Sequence, residues 1–197
     1  RNIQPLSDDY IKFIRYAQEI NNVSGLGVCG MITNHGFLSG LIHRGMRDEL
    51  TKHYDYIAIL DLHGNVVSGE TPPIGINDEN VFDIKQGVSI TMLSKNPIGG
   101  ERRSVLHQDL WGSRQHKYDQ LNLNNTERFK MGVLSPSPPH FFFVKKDFRY
   151  LLESTESWGC EKIFPIMTSG VKTHRDDLVV NFDLTDLKRD IADAKKG

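Results

Sequence analysis

Three observations predict an α/β fold built on one open sheet and followed by an irregular α+β extension. Apolar residues recur at helical spacing between Tyr10 and Ile20. Short apolar runs at 26–33 and 56–62 read as strands, and these units alternate helix, strand, helix, strand along the first third of the chain.

The first helix starts at Ser7, a capping hydroxyl followed by Asp8 and Asp9, two carboxylates where the helix dipole favours them. Tyr10, Phe13, Ile14, Ala17 and Ile20 then form one face, and the helix is expected to end near Asn22. Residues 26–33 (L-G-V-C-G-M-I-T) show no alternation, which predicts a strand buried on both faces, most naturally in a parallel sheet. Residues 41–53 predict an amphipathic helix, and 56–62 (Y-I-A-I-L-D-L) a second apolar strand stopped by the turn signal H-G-N. After a Gly/Pro/Asn-rich excursion over 64–80, residues 88–95 alternate as a strand. With no helix between it and 56–62, the two should be antiparallel neighbours, a hairpin-like pair ending the sheet. Beyond Asn96 the pattern loosens. Strands are expected at 104–110, 140–144 and 178–182, helices at 113–121 and 186–195, and a helical turn at 147–152.

The 197 residues suffice for one sizeable core, not for two full domains. With 25% charged and 38% hydrophobic residues the composition is that of a soluble, cytoplasmic-type globular protein, and no apolar run is long enough to span a bilayer. A formal net charge of −1 supplies no global field to steer nucleic acid, so any such surface must concentrate its basic residues. Cys29 and Cys160 lie far apart without a C-x-x-C pattern, which argues for thiols rather than a disulfide or zinc framework. The sequence opens at Arg1 directly before a helix start, as a piece of a longer chain would.

Histidines and aspartates gather in N-H-G (34–36), D-L-H-G-N (61–65) and L-H-Q-D-L (106–110). Asp61 and His63 at a strand end have chelating spacing, but no four-ligand framework accompanies them, and turn residues capping strand ends are the stronger reading. No metal is expected. Neither G-x-G-x-x-G, nor a P-loop, nor a nucleophile elbow occurs. T-P-P-I (71–74) and S-P-P-H (137–140) read as extended or turn segments. G-V-K-T-H-R-D-D (170–177) is either a solvated loop or a DNA-backbone contact, its glycine admitting the chain close to phosphates and Lys172, His174 and Arg175 supplying charge.

Taken in order, S-D-D-Y-I-K-F-I-R-Y-A-Q, G-V-C-G-M-I-T-N-H-G-F-L, H-R-G-M-R-D-E-L, Y-D-Y-I-A-I-L-D-L-H-G-N, N-V-F-D-I-K-Q-G-V-S-I-T-M-L-S-K, H-Q-D-L-W-G-S-R and S-G-V-K-T-H-R-D-D-L-V-V resemble one family. It is the DNA adenine (N6) methyltransferase module of type ISP and Eco57I-like restriction-modification enzymes, and the likeness runs from Asp8 to about Asp183. The resemblance implies the second half of a Rossmann-like methyltransferase sheet, with an inserted antiparallel strand, over residues 1–97, and an extension leading into a target-recognition region over 98–197. Family members carry the S-adenosylmethionine loop and an Asn-Pro-Pro-Tyr motif upstream of the helix that here begins at Ser7. This sequence has neither, so the chain alone is expected to hold no catalytic residue, bind no S-adenosylmethionine and methylate nothing, while a parent protein would do both.

The partners implied are double-stranded DNA, the remainder of the methyltransferase domain, and nuclease and helicase modules. In related enzymes an aromatic just before the inserted strand stacks on the flipped adenine, and Phe82 matches it by position; burial under the loop is the alternative. Lys85, Arg102, Arg103, Lys172, His174 and Arg175 are the expected DNA-backbone contacts. A non-catalytic DNA-binding or specificity module, using 170–177 with Arg102, Arg103, Lys145 and Lys146, is the rival reading. A metal-dependent hydrolase on Asp61 and His63 comes third.

Overall fold

The computed structural model describes residues 4–67, 69–96, 104–123, 129–147, 163 and 181–195. The chain divides into two compact units, Arg1–Lys146 and Asp147–Gly197. In the second, the helix Leu184–Ala194 is capped by Asp183, whose carboxylate accepts from the amides of Thr185 and Asp186. Among the described residues no helix is long and apolar enough to cross a membrane.

The first unit is a mixed α/β layer. Helix α1 (Asp9–Ser24) leads into strand β1 (Gly27–Asn34), the short helix α2 (Gly36–Ser39), α3 (Arg44–His53), β2 (Tyr56–Asp61), a long loop, and β3 (Val88–Lys95). Strand β4 (Ser104–Asp109), helix α4 (Arg114–Leu123) and β5 (Gly132–Leu134) follow; among the described residues of the second unit, Leu184–Ala194 is labelled α5. The five strands lie in the order β1-β3-β2-β4-β5. β3 is antiparallel to both of its neighbours, so β1 and β2 point the same way with a reversed strand between them. β2 and β4 are parallel, and β5 closes the far edge antiparallel to β4.

The expected antiparallel pairing of β2 with β3 is present, but the pair lies inside the sheet rather than ending it. Residue 97 does not end the sheet either, because β4 continues it on the other side of β2. β1 departs from expectation. Among the described residues it is the edge strand, paired antiparallel with β3 alone, and its exposure alternates, with Val28 69% and Ile32 58% exposed. Cys29 and Met31 pack against the core while Val28 and Ile32 face outward, so a run without sequence alternation acquires a covered face and an open face from its place at the rim.

One sheet face packs Ile57, Ile59, Leu93 and Val105 against Ile14 of α1, Phe37 and Leu38 of α2, Leu50 of α3, Tyr54 and Phe143. The other packs Leu60 and Val88 with Leu62, Val81 and Leu110, under Leu121 of α4, Phe129 and Met131. Arg47 of α3, fully buried, ties the first layer together: its guanidinium donates to the carbonyls of Phe37, Gly40, His140 and Phe141. Residues 140–144, expected as a strand, instead pass as irregular chain, with the Phe143 amide donating to the Leu38 carbonyl. The strand that does form there is the brief β5. Helix α1 begins at Asp9 after Asp8, and neither Ser7 nor Asp8 caps it by a side chain. Its buried stripe is Ile14, Gln18 and Asn21, while Phe13 and Ile20 of the predicted face are 60% and 50% exposed. Of the expected strand at 178–182, only residues 181 and 182 lie within the described range, and they form the turn before α5; the expected turn at 147–152 falls almost wholly outside it.

Candidate functional site

Parallel strands β2 and β4 end together, and the register sets Asp61 beside Asp109 and Ile59 beside His107. Side chains two apart on a strand share a face. Asp61, Asp109 and His107 therefore converge at the carboxyl ends of the strands, and the turns after β1 and β2 bring His35 and His63 to the same point.

The turn after Asp61 is fixed locally. The His63 amide donates to Asp61 Oδ1 at 3.0 Å, and Gly64 follows at φ +81°, where an added Cβ would lie 2.5 Å from the Asn80 Cα. The His63 ring is stacked on Trp111, centroids 3.3 Å apart, with Nδ1 2.8 Å from Glu70 and Nε2 3.0 Å from Asp109. Burial works against its charged form, but the hydrogen bonds to Asp109 and Glu70 and the charge of Asp61 outweigh it, and the imidazole is pushed up to about 9. At neutral pH His63 is thus an imidazolium bracketed by carboxylates. His35 places Nδ1 2.9 Å from Asp61 Oδ1 and Nε2 3.0 Å from the Asn65 amide. His107, 1% exposed, is pushed down by burial and has no hydrogen bond at either ring nitrogen. Burial opposes the charge on Asp109, yet the His63 hydrogen bond and nearby cations leave its carboxyl below the usual range. A cavity of about 590 Å³ opens over His35, Asp61, His63, Glu70 and Asp109, with Trp111, Lys145 and Lys146 also in its wall; His107 lies beneath it, outside the lining.

The loop from Leu62 to Gly87 leaves this point and is held by side chains rather than by sheet or helix. Asp78 accepts from the Gly64 amide, the Gly112 amide and Lys117 Nζ at 2.8, 2.9 and 2.7 Å. Lys117, fully buried, also donates to the carbonyls of Leu62 and Glu79. Asn80 donates to the Gly64 and Gln86 carbonyls and accepts from the Phe82 amide. From α4, Arg114 donates to the Asn80 and Phe82 carbonyls and pairs with Asp83, while the Tyr118 hydroxyl donates to the Val81 carbonyl. The backbone of Phe82 is therefore gripped on both sides, yet its ring is 45% exposed and belongs to neither apolar cluster. Ile84 beside it is 46% exposed. Lys85 accepts from the Val66 amide through its carbonyl and presents its side chain to solvent. Arg102, Arg103, Lys172, His174 and Arg175 lie outside the described residues.

Sequence reasoning quoted the three His/Asp turns separately and did not join them; the signal that joins them is the β2–β4 register, which spacing does not contain. It also passed over Asp78, Asn80, Arg114 and Lys117, which fix the Phe82 loop. The D-E-N run before V-F-D holds two of the four, Asp78 and Asn80.

No protein-family model matches the chain, and no curated protein matches it. Solved structures do. The chain is similar to the ATP-dependent Type ISP restriction-modification enzyme LlaBIII bound to DNA, at 25% identity and TM-score 0.71 over 97% of the chain. It is also similar to a nuclease-deletion mutant of the Type ISP enzyme LlaGI in complex with a DNA substrate mimic (21%, TM-score 0.65, 97% of the chain). A third match is the DrdV–DNA complex (22%, TM-score 0.63, 94% of the chain). The chain spans only 13% of the LlaBIII chain, 18% of the LlaGI chain and 19% of the DrdV chain. The fold is one found inside large restriction-modification enzymes solved with DNA.

Proposed function

We propose that the chain is the DNA-facing half of a DNA adenine-N6 methyltransferase domain from a restriction-modification enzyme, with the S-adenosylmethionine loop and the Asn-Pro-Pro-Tyr motif supplied by other parts of a parent protein. One observation carries the reading. A strand is inserted antiparallel between two like-directed strands, and the loop entering it fixes the backbone of Phe82 while leaving its ring open. A half Rossmann-like sheet with this insertion is the arrangement the sequence resemblance implies, and the likeness to LlaBIII in complex with DNA supports the same partner.

In this reading Phe82 is the platform for the extruded base. Flipping costs a few kcal/mol of stacking and pairing, and aromatic stacking returns about 1–3 kcal/mol. A ring presented on a preformed loop loses little further entropy when the base arrives. Lys85, on the same loop, is the described residue assigned to the DNA backbone, and Arg102, Arg103, Lys172, His174 and Arg175 are the further basic residues the sequence offers for such contacts. The remainder of the domain completes the sheet at β1, whose outer edge has no partner strand among the described residues. Two apolar stripes surround that edge, Phe13, Tyr16, Ile20 and Val23 on α1 and Leu26, Val28 and Ile32 at β1, all at least half exposed.

The test is Phe82→Ala in the full-length enzyme, assayed on duplex DNA carrying 2-aminopurine at the target position. Binding of flipped-base DNA should weaken roughly 5- to 150-fold, the equivalent of the lost stacking, with donor affinity unchanged. Unaltered methylation kinetics and an unaltered fluorescence change would remove Phe82 from the role.

A further inference from the structure

We propose that Asp61, Asp109 and His107 form a binding site for a divalent transition-metal ion at the carboxyl ends of β2 and β4, with its open coordination positions facing the cavity. The observation behind it is independent of the methyltransferase reading.

One ligand atom from each of the three residues lies within 4.8 Å of the other two. Oxygen and nitrogen donors sit about 2.0–2.2 Å from such an ion, hence at most about 4.4 Å from each other. Only trans donors reach that separation, and donors at right or tetrahedral angles lie about 3.0–3.6 Å apart, so small side-chain rotations of up to about 1–2 Å must draw the set together. Two backbone features make it rigid: Asp61 and Asp109 are register partners on parallel strands, and His107 precedes Asp109 by two residues on the same face. Asp61 and Asp109 spend Oδ1 on His35 and His63, and no described residue bonds the second oxygen of either.

His107 points to a missing partner. Its ring is 1% exposed and both nitrogens lack a hydrogen bond. A buried polar group in that state is ordinarily satisfied by water or an ion. Ser89, the register partner of Asp61 on β3, is fully buried with an equally unpartnered hydroxyl. An unpartnered buried imidazole and an unpartnered buried hydroxyl thus accompany the two carboxylates at the strand ends. The nearby trio His35, His63 and Glu70 has ligand atoms equally close, but its nitrogens are already spent on Asp61, Asn65, Glu70 and Asp109. One imidazole with two carboxylates suits manganese or zinc better than the all-oxygen ions. Glu70 adds a third carboxylate to the same wall, against the cations of His63, Lys145 and Lys146.

The full chain, stripped with a chelator, should bind one equivalent of Mn²⁺ or Zn²⁺ by isothermal titration. His107→Gln and Asp109→Asn should each weaken that binding at least about tenfold. Electron spin-echo spectroscopy of the Mn²⁺-loaded chain should show one imidazole nitrogen coupled to the metal, a signal absent from His107→Gln. Lack of stoichiometric binding would overturn the site, as would affinity unchanged in both variants, or bound Mn²⁺ without a nitrogen ligand. Should either variant fail to fold by circular dichroism, the spin-echo spectrum of the unmodified chain decides alone.

Discussion

Lys117 shows how much a single side chain carries. A lysine with no exposed surface is costly unless every proton finds an acceptor, and here Asp78, the Leu62 carbonyl and the Glu79 carbonyl accept all three. Removing one partner of a buried pair leaves the other charged and dry, which costs about 3–5 kcal/mol. Lys117→Met should lower the unfolding free energy obtained from urea titration by that amount, and Asp78→Asn added to it should recover part of the loss. A double change no more stable than the single one would mean that the ammonium, not the pairing, is what the loop needs. Position 117 reads in the sequence as one basic residue on a polar helix. Its burial follows from α4 packing over the loop, which pattern alone does not encode.

At the scale of elements, periodicity found what is regular. Helices α1, α3 and α4 and strands β2, β3 and β4 are legible because each carries its own apolar run, alternation or helical face. β5 is not, since G-V-L is too short to show a period, and the apolar F-F-F at 141–143 outcompetes it as a candidate. The packing of α1 was also misread, because the stripe chosen from apolarity alone left out Gln18 and Asn21, which are buried; Asn21 hydrogen-bonds to the Tyr54 hydroxyl. Tyr10 anchors the start of that helix against Phe37, centroids 6.2 Å apart. Burial, helped by the charge of Asp8, pushes its phenol up to about 12. An unfolded tyrosine ionises near 10, so between about pH 10 and 12 the unfolded state binds fewer protons than the folded one, and stability falls as pH rises. Urea midpoints should drop over that window, and Tyr10→Phe should flatten the drop. An equal slope in the variant would assign the alkaline loss to other groups, Tyr54 first, whose phenol burial also raises.

For the whole molecule the open face of β1 sets behaviour in solution. An edge strand with exposed Val28 and Ile32, next to a helix with exposed Tyr16 and Val23, is a template for association. Val28→Lys should change the unfolding free energy little, within about 0.5 kcal/mol for so exposed a site, yet reduce self-association of the isolated chain in sedimentation velocity. Association undiminished by the charge would place the sticky surface elsewhere. That the fold was legible and the site only partly so has one cause. Elements are written in neighbouring residues, whereas the His/Asp cluster and the Phe82 clamp are assembled by the register of β2 with β4 and by α4, across gaps of tens of positions.

The Asp78 carboxylate holds the amides of Gly64 and Gly112 from its two oxygens at once. These amides belong to separate segments, one just after β2 and one just before α4. Displacement of the Asp78 side chain frees both amides together, so an opening that moves this carboxylate exposes the two segments at once. In native-state hydrogen exchange the two should share one protection factor and one opening rate, so the timing of the loop that presents Phe82 can be read from a glycine nowhere near it in the sequence.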